Sequence, residues 1–283
     1  PGPAPPAPPV RLWPLPKSYS NGTTTLSVAP APAFGWFGPS TASATLTAAY
    51  ARYSDIIFQH APDTDTPQTA GMPTISGLVV SVDTVSEAPP QLDTDESYTL
   101  TVSAAGGNAT LSAKTIYGAL RGIETFSQLI IYDFDKLAYT LPDAPWSIDD
   151  APRFQHRGML IDTARHFEPV ASLKHVIDSA SYAKLNVIHW HMVDSQSFPF
   201  ESKTNPTMWN GAWAPSQRFT QADVRDVVEY ARMRGIRVVV EFDVPGHAAS
   251  WCVGRPDICP STECLQPLNV ASNATFDVIS DLL

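Results

Sequence analysis

The sequence predicts an α/β protein, with a small N-terminal α+β domain followed by the first three βα units of a (β/α)8 barrel. Helix and strand patterns are mixed in residues 17–150, whereas strand and helix patterns alternate three times in residues 151–283. Each of these three later strands ends in polar residues, and barrel active sites are built at the carboxyl ends of strands. This last observation favours a barrel over a doubly wound sheet.

The composition is that of a folded, acidic protein. The 283 residues carry 18 Lys and Arg against 28 Asp and Glu, a formal net charge of −10, and 43% of them are hydrophobic. Because no basic run is present, we expect neither a nucleic acid nor an anionic membrane as a partner. No apolar run approaches the roughly 18 residues of a membrane-spanning helix.

A proline-rich leader opens the chain. Residues 1–16 (PGPAPPAPPVRLWPLP) contain 8 prolines and are predicted to be an extended linker. The chain begins at Pro1 without an apolar signal segment, so we expect that any signal peptide has been removed.

The predicted N-terminal domain covers residues 17–150. Apolar residues follow helical spacing in residues 46–57 and 114–131, and residues 77–82 and 98–102 have strand patterns. The proline-rich stretch 141–152 is predicted to be the boundary with the next domain.

The predicted barrel part covers residues 151–283. Strands are predicted at 158–161, 187–193 and 236–242, and helices at 170–184, 221–234 and from 276 onward. Thr220 is the predicted N-cap of the second helix, and Gly235 is its predicted stop. A complete barrel needs about 250 residues, so we expect the remainder of the barrel from further chain; a partner chain that supplies it is the alternative.

Four polar residues follow the predicted strands. Arg165 can bind vicinal hydroxyls or a carboxylate, or form a salt bridge at the barrel rim. Asp194 ends the second strand, and Asp243 and His247 follow the third. A histidine between carboxylates can tune the pKa of an acid, although a turn capped by Asp243 would explain the same residues. Together they predict a site on one rim.

His189 and His191 suggest a metal site, because His-x-His on a strand points both imidazoles to one face. The alternative is a pair of packed, hydrogen-bonded histidines in the barrel interior. We favour that alternative, and therefore predict no metal and no cofactor.

Three cysteines lie close together near the end of the chain. Cys252 and Cys259 are near enough in sequence to form a disulfide, which would leave Cys264 without a partner in this chain. Three reduced thiols are the alternative.

Three Asn-x-Thr sequons begin at Asn21, Asn108 and Asn273. They favour a glycosylated protein of the secretory pathway.

The predicted barrel part contains four consecutive motifs, residues 156–166 (HRGMLIDTARH), 185–194 (LNVIHWHMVD), 229–238 (EYARMRGIRV) and 241–247 (EFDVPGH). These motifs closely resemble those of the β-N-acetylhexosaminidases of glycoside hydrolase family 20. Residues 12–150 are similar to the small N-terminal domain of that family. The resemblance implies an exo-acting, retaining enzyme that removes terminal β-linked N-acetylglucosamine or N-acetylgalactosamine from oligosaccharides or glycoconjugates. It also implies substrate-assisted catalysis, in which the 2-acetamido oxygen of the substrate is the nucleophile.

The resemblance implies roles for the strand-end residues. Arg165 would bind the C3 and C4 hydroxyls of the terminal sugar, and Asp194 and His247, supported by Asp243, would tune the general acid. The family often forms dimers, so a homodimer is one expected assembly. Lysosome, vacuole and extracellular space all suit such a glycosylated protein.

The sequence departs from the family pattern at one decisive point. The acid Glu and the orienting Asp of the family belong to a Gly-Gly-Asp-Glu motif after the fourth strand, and the 283 residues contain no such motif. We therefore expect the acid Glu, the orienting Asp and a cysteine that pairs with Cys264 to lie beyond Leu283. Without the Glu and the Asp, we expect this chain to be inactive. A smaller departure is Ser195, where relatives often have a second Asp. The alternatives are a sugar-binding relative or fragment without catalysis, and a metal-dependent barrel hydrolase that uses His189 and His191.

Overall fold

The computed structural model describes residues 10–39, 42–61 and 69–283. The chain divides into two compact units, Pro1–Gln155 and His156–Leu283. The sequence had placed this division at residues 150 and 151.

The first unit is built on a seven-stranded mixed sheet and two helices. The strands are β1 (Ser18–Val28), β2 (Gly35–Phe37), β3 (Thr74–Thr84), β4 (Tyr98–Val102), β5 (Gly107–Thr115), β6 (Ile131–Asp133) and β7 (Ala138–Asp150), and the helices are α1 (Ala44–Ile57) and α2 (Ile116–Leu129). The strand order is β1-β3-β5-β4-β7-β6; β2 pairs with β3, and β1 also pairs with β7. Side chains alternate along β4, where Tyr98, Leu100 and Val102 are buried beneath α2 and the threonines between them are exposed.

Residues 138–150 correct a prediction. They form the long strand β7, whereas the prolines of the stretch 141–152 had suggested a boundary. Pro142 and Pro145 lie opposite the part of β1 where its register with β7 shifts twice. Proline lacks a backbone N–H, and an interrupted ladder is where a strand tolerates it.

The described part of the leader also differs from the prediction. Residues 10–16 contain no helix or strand, yet Leu12 is only 5% exposed and belongs to the core of the first unit. The side-chain amide of Gln128 accepts a hydrogen bond from Trp13 N and donates one to Trp13 O, both at 2.8 Å. This part is therefore packed on the domain instead of being a free linker; residues 1–9 lie outside the described residues.

The second unit contains a parallel three-stranded sheet of order β10-β9-β8. Its elements are β8 (Gly158–Asp162), α3 (Val170–Tyr182), β9 (Val187–Val193), α4 (Gln221–Arg232), β10 (Arg237–Phe242), the short α5 (Trp251–Gly254) and α6 (Asn273–Leu282). Strand and helix alternate as predicted, and these are the first three βα units of a (β/α)8 barrel. In the part of the chain that the structure describes, no helix has the length and apolarity needed to cross a membrane.

The ends of α4 were predicted from its sequence. Thr220 is the N-cap; its hydroxyl accepts a hydrogen bond from Asp223 N, and the Asp223 carboxylate accepts one from Thr220 N. After the helix, Gly235 has a φ of +69°, a left-handed conformation that glycine adopts without the steric cost of a side chain. Thr220 and Gly235 thus mark the beginning and the end of α4, and β10 follows directly.

Candidate active site at the carboxyl ends of three strands

Strand register brings polar side chains into one layer of the second unit. His191 on the central strand β9 pairs with Asp162 on β8 and with Glu241 on β10. Because parallel strands end at the same edge of a sheet, the residues that follow these positions collect at that edge.

Arg165 lies just after β8 and is held by two carboxylates. Its Nη1 donates a hydrogen bond to Asp162 Oδ2, and its Nη2 forms an ion pair with Asp194 Oδ2, both at 2.6 Å. The other Asp162 oxygen accepts the backbone N–H groups of Ala164 and Arg165, each at 3.0 Å. The Arg165 side chain is 39% exposed, so it forms the salt bridge that the sequence allowed and still faces solvent.

Asp194 is the buried centre of the network, with its side chain 0% exposed. Its Oδ2 accepts a hydrogen bond from His191 Nε2 at 2.8 Å, and its Oδ1 accepts one from Ser195 N at 2.6 Å. Burial alone would raise the pKa of Asp194, but the hydrogen bonds and the nearby charge of Arg165 outweigh it and lower this pKa. Asp194 therefore stays ionised although no part of it touches solvent.

His189 and His191 lie on the same face of β9, as predicted, and both contact Glu241. Glu241 Oε2 lies 2.5 Å from His189 Nε2 and 3.1 Å from His191 Nδ1. His191 is 5% exposed, and its two ring nitrogens meet two carboxylates. Burial lowers the pKa of His191, but the hydrogen bonds to Glu241 and Asp194 outweigh it and raise this pKa. His191 fits the packed, hydrogen-bonded histidine that we favoured, whereas the His189 side chain is 40% exposed.

His247 and Asp243 lie beside Asp194. His247 Nδ1 is 3.2 Å from Asp194 Oδ2 and 3.2 Å from Arg165 Nη2, and its side chain is 58% exposed. One polar atom each of Asp194, Asp243 and His247 lie within 4.8 Å of one another, as do those of His191, Glu241 and Asp243.

Both groups have the ligand types of a cation site. However, Arg165 already pairs with Asp194, and His191 already contacts both Asp194 and Glu241. In the described part of the chain, neither group includes His189, which the metal hypothesis requires. The geometry favours an ion-pair network.

The structure thus brings together Arg165, Asp194, Asp243 and His247 from three strand ends. Sequence reasoning missed Asp162 and Glu241. The signal for Glu241 was the single carboxylate of its strand (IRVVVEF), directly after three valines, and for Asp162 it was the acid that ends β8.

A disulfide joins Cys252 and Cys259, with 6.0 Å between their Cα atoms. Cys264 is an exposed free thiol, and its pairing with a cysteine outside this chain stays a prediction. Asn21, Asn108 and Asn273 are all exposed, and their glycosylation stays a prediction as well.

Comparison with known proteins accounts for both units. Residues 154–281 match the catalytic domain of glycosyl hydrolase family 20, and residues 12–129 match a domain described as beta-acetyl hexosaminidase like. The chain belongs to glycosyl hydrolase family 20. Beta-hexosaminidase 1 of Arabidopsis thaliana is 47% identical over 292 residues, which cover 99% of this chain and 54% of that protein.

Two further similar proteins agree with this assignment. The human beta-hexosaminidase subunit beta is 40% identical over 288 residues, covering 95% of this chain and 50% of that protein. The chain thus spans about half the length of the curated relatives it matches. The chitobiase of Flavobacterium johnsoniae has a TM-score of 0.73 at 28% identity, covering 96% of this chain and 42% of that structure.

A more distant solved structure shares the fold. A Streptomyces plicatus beta-hexosaminidase variant, solved with its product GlcNAc, has a TM-score of 0.73 at 21% identity, covering 99% of this chain and 57% of that structure.

Proposed function

We propose that the whole protein is an exo-acting, retaining glycosidase that removes terminal β-linked N-acetylglucosamine or N-acetylgalactosamine. The observation that carries the proposal is the convergence of Arg165, Asp194 and His247 at the strand ends of a family 20 chain. A partly exposed guanidinium held by two carboxylates suits neutral, hydroxyl-rich ligands, because its charge is already balanced while donors still face solvent.

The reaction needs little covalent chemistry from the protein. The substrate's 2-acetamido oxygen attacks the anomeric carbon while a general acid protonates the leaving oxygen, so the glycosidic bond breaks. The ionised acid then takes a proton from a water molecule, whose oxygen displaces the acetamido oxygen at the anomeric carbon, and the two inversions give retention. Arg165 would hold the C3 and C4 hydroxyls, and Asp194 with His247, supported by Asp243, would tune the acid. The acid Glu and the orienting Asp would come from the rest of the barrel, beyond Leu283.

The proposed partner is an oligosaccharide or glycoconjugate with a terminal β-N-acetylhexosamine, and a homodimer is the proposed assembly. We place the protein in the secretory pathway, in a lysosome, a vacuole or outside the cell. The three exposed sequon asparagines and the disulfide support that location, because disulfides persist in oxidising compartments.

The test is hydrolysis of an aryl β-N-acetylglucosaminide and of the matching β-glucoside by the full-length protein, with and without a chelator. We expect cleavage of the acetamido sugar alone, unchanged by the chelator, since the glucoside lacks the nucleophile. Equal cleavage of both sugars would overturn the substrate-assisted mechanism. Loss of activity in chelator would favour the metal-dependent alternative, and sugar binding without any cleavage would favour a non-catalytic relative.

A further inference from the structure

The side chain of Gln266 connects the two segments that carry Asp194 and His247. Its carbonyl oxygen Oε1 accepts a hydrogen bond from the Ser195 hydroxyl at 2.7 Å and another from Ala248 N at 3.3 Å. Ser195 and Ala248 are the residues directly after Asp194 and His247. We propose that Gln266 is a positioning residue that fixes the Asp194–His247 contact; this inference rests on the proposed function.

The donors and acceptors determine how the Gln266 amide is oriented. The backbone N–H of Ala248 is only a donor, so the atom facing it has to be the side-chain oxygen of Gln266. The Ser195 hydroxyl then has to donate to the same oxygen. Any side chain that replaces Gln266 needs an acceptor at this point to keep both bonds.

Each of the two hydrogen bonds to Gln266 restrains one residue of the Asp194–His247 pair. Ser195 donates its own N–H to Asp194 Oδ1 at 2.6 Å, so anchoring its hydroxyl limits how the Asp194 carboxylate can move. His247 has a φ of +53°, in the left-handed region that residues other than glycine rarely adopt. The hydrogen bond from Ala248 N to Gln266 restrains the backbone directly after it. A conformation of this kind persists only where its surroundings hold it.

Gln266 itself lies on a supported segment. Two residues further on, Leu268 N donates to Pro245 O at 2.8 Å, and Asn269 N donates to Ile258 O at 2.8 Å. The Leu268 side chain is 1% exposed in the core of the second unit. The loop after α5 is therefore hydrogen-bonded to the turn after β10. Because this loop is held in place, Gln266 can hold Ser195 and Ala248 in place in turn.

Loss of the Gln266 side chain should affect catalysis more than substrate binding. His247 faces Asp194, Arg165 and Asp243, so its position relative to two carboxylates and one guanidinium depends on how the segment that carries it is held. Without Gln266 these groups remain, but their separation is no longer fixed. Because a small misplacement of a catalytic group is costly, we expect kcat to fall and the pH profile to shift while KM changes little.

The experiment compares Gln266→Ala and Gln266→Glu in the full-length enzyme, with kcat and KM for an aryl β-N-acetylglucosaminide measured from pH 4 to 8. For Gln266→Ala we expect kcat to fall on the order of tenfold, with KM within about twofold and a shifted pH limb. Gln266→Glu keeps an acceptor oxygen for both donors, and is expected to retain most of the activity. Wild-type kcat and pH profile in Gln266→Ala would overturn the proposal.

Ser195→Ala gives a second test that leaves the loop intact. It should lower kcat in the same direction, and the double variant should be no slower than Gln266→Ala alone, because both remove one connection. Additive losses would contradict this. Gln217→Ala is the matched control, since the Gln217 side chain makes no hydrogen bond with the described part of the chain. Activity of the wild-type enzyme tests the proposed function separately from the role of Gln266.

Discussion

At the scale of single residues, Arg165 forms salt bridges to two carboxylates and still faces solvent. Asp162 and Asp194 hold the guanidinium from two sides at 2.6 Å, which fixes its orientation before any ligand arrives. The hydrogen bond to Asp162 also raises the pKa of Arg165, so the charge is permanent. A donor that is ordered in advance loses little entropy when a sugar hydroxyl binds to it.

Arg165→Ala should therefore lower kcat/KM of the full-length enzyme by an amount equivalent to about 2–4 kcal/mol, the range seen when one preorganised polar contact is removed. The measurement is steady-state hydrolysis of an aryl β-N-acetylglucosaminide. Arg225→Ala, which removes an exposed arginine of α4, is the control and should have wild-type rates. A loss of less than twofold for Arg165→Ala would show that Arg165 is not in the sugar site.

The residues that sequence reasoning found and missed differ in a physical way. Arg165, Asp194 and His247 come right after apolar strands, and that position can be read from one sequence. Glu241 was missed because its partners depend on the register between β9 and β10. Gln266 was missed because it reaches Ser195 across 71 residues, a contact that only the folded loop creates.

At the scale of helices and strands, the barrel part was more predictable than the N-terminal domain. Strands β8 to β10 are short apolar runs, and α4 has recognisable signals at both ends. By contrast β1 (SYSNGTTTLSV) is mostly polar and β7 contains two prolines, so local propensity argued against both strands. They form because their long pairing with each other buries residues such as Leu26 and Leu141.

The capping box of α4 gives a prediction for this element. Thr220→Ala removes the hydroxyl that accepts Asp223 N, which leaves a donor of the first turn without its partner. We expect the free energy of unfolding to fall by about 1 kcal/mol. Urea denaturation of the purified protein measures this, with Thr262→Ala, an exposed loop threonine, as the control. Equal midpoints for the two variants would show that the box contributes nothing measurable.

At the scale of the whole molecule, the charges of the site couple stability to pH. Burial alone would raise the pKa values of Asp194 and Glu241, but hydrogen bonds from His191 outweigh it and both values are lowered. Their contribution to stability is present above the ordinary values of 3.8 and 4.5 and is lost as the pH falls through the folded-state values.

His191 acts in the opposite direction, because its pKa is raised above 6.5. Its contribution is full below 6.5 and is lost as the pH rises through the folded-state value, so both contributions coexist between pH 4.5 and 6.5. The net charge of −10 at pH 7 adds self-repulsion on the alkaline side. We therefore expect Tm, measured by scanning calorimetry from pH 4 to 9, to be highest in that window. His191→Gln should lower this maximum and flatten the alkaline decline; a wild-type Tm that rises steadily to pH 8 would contradict the ion-pair network.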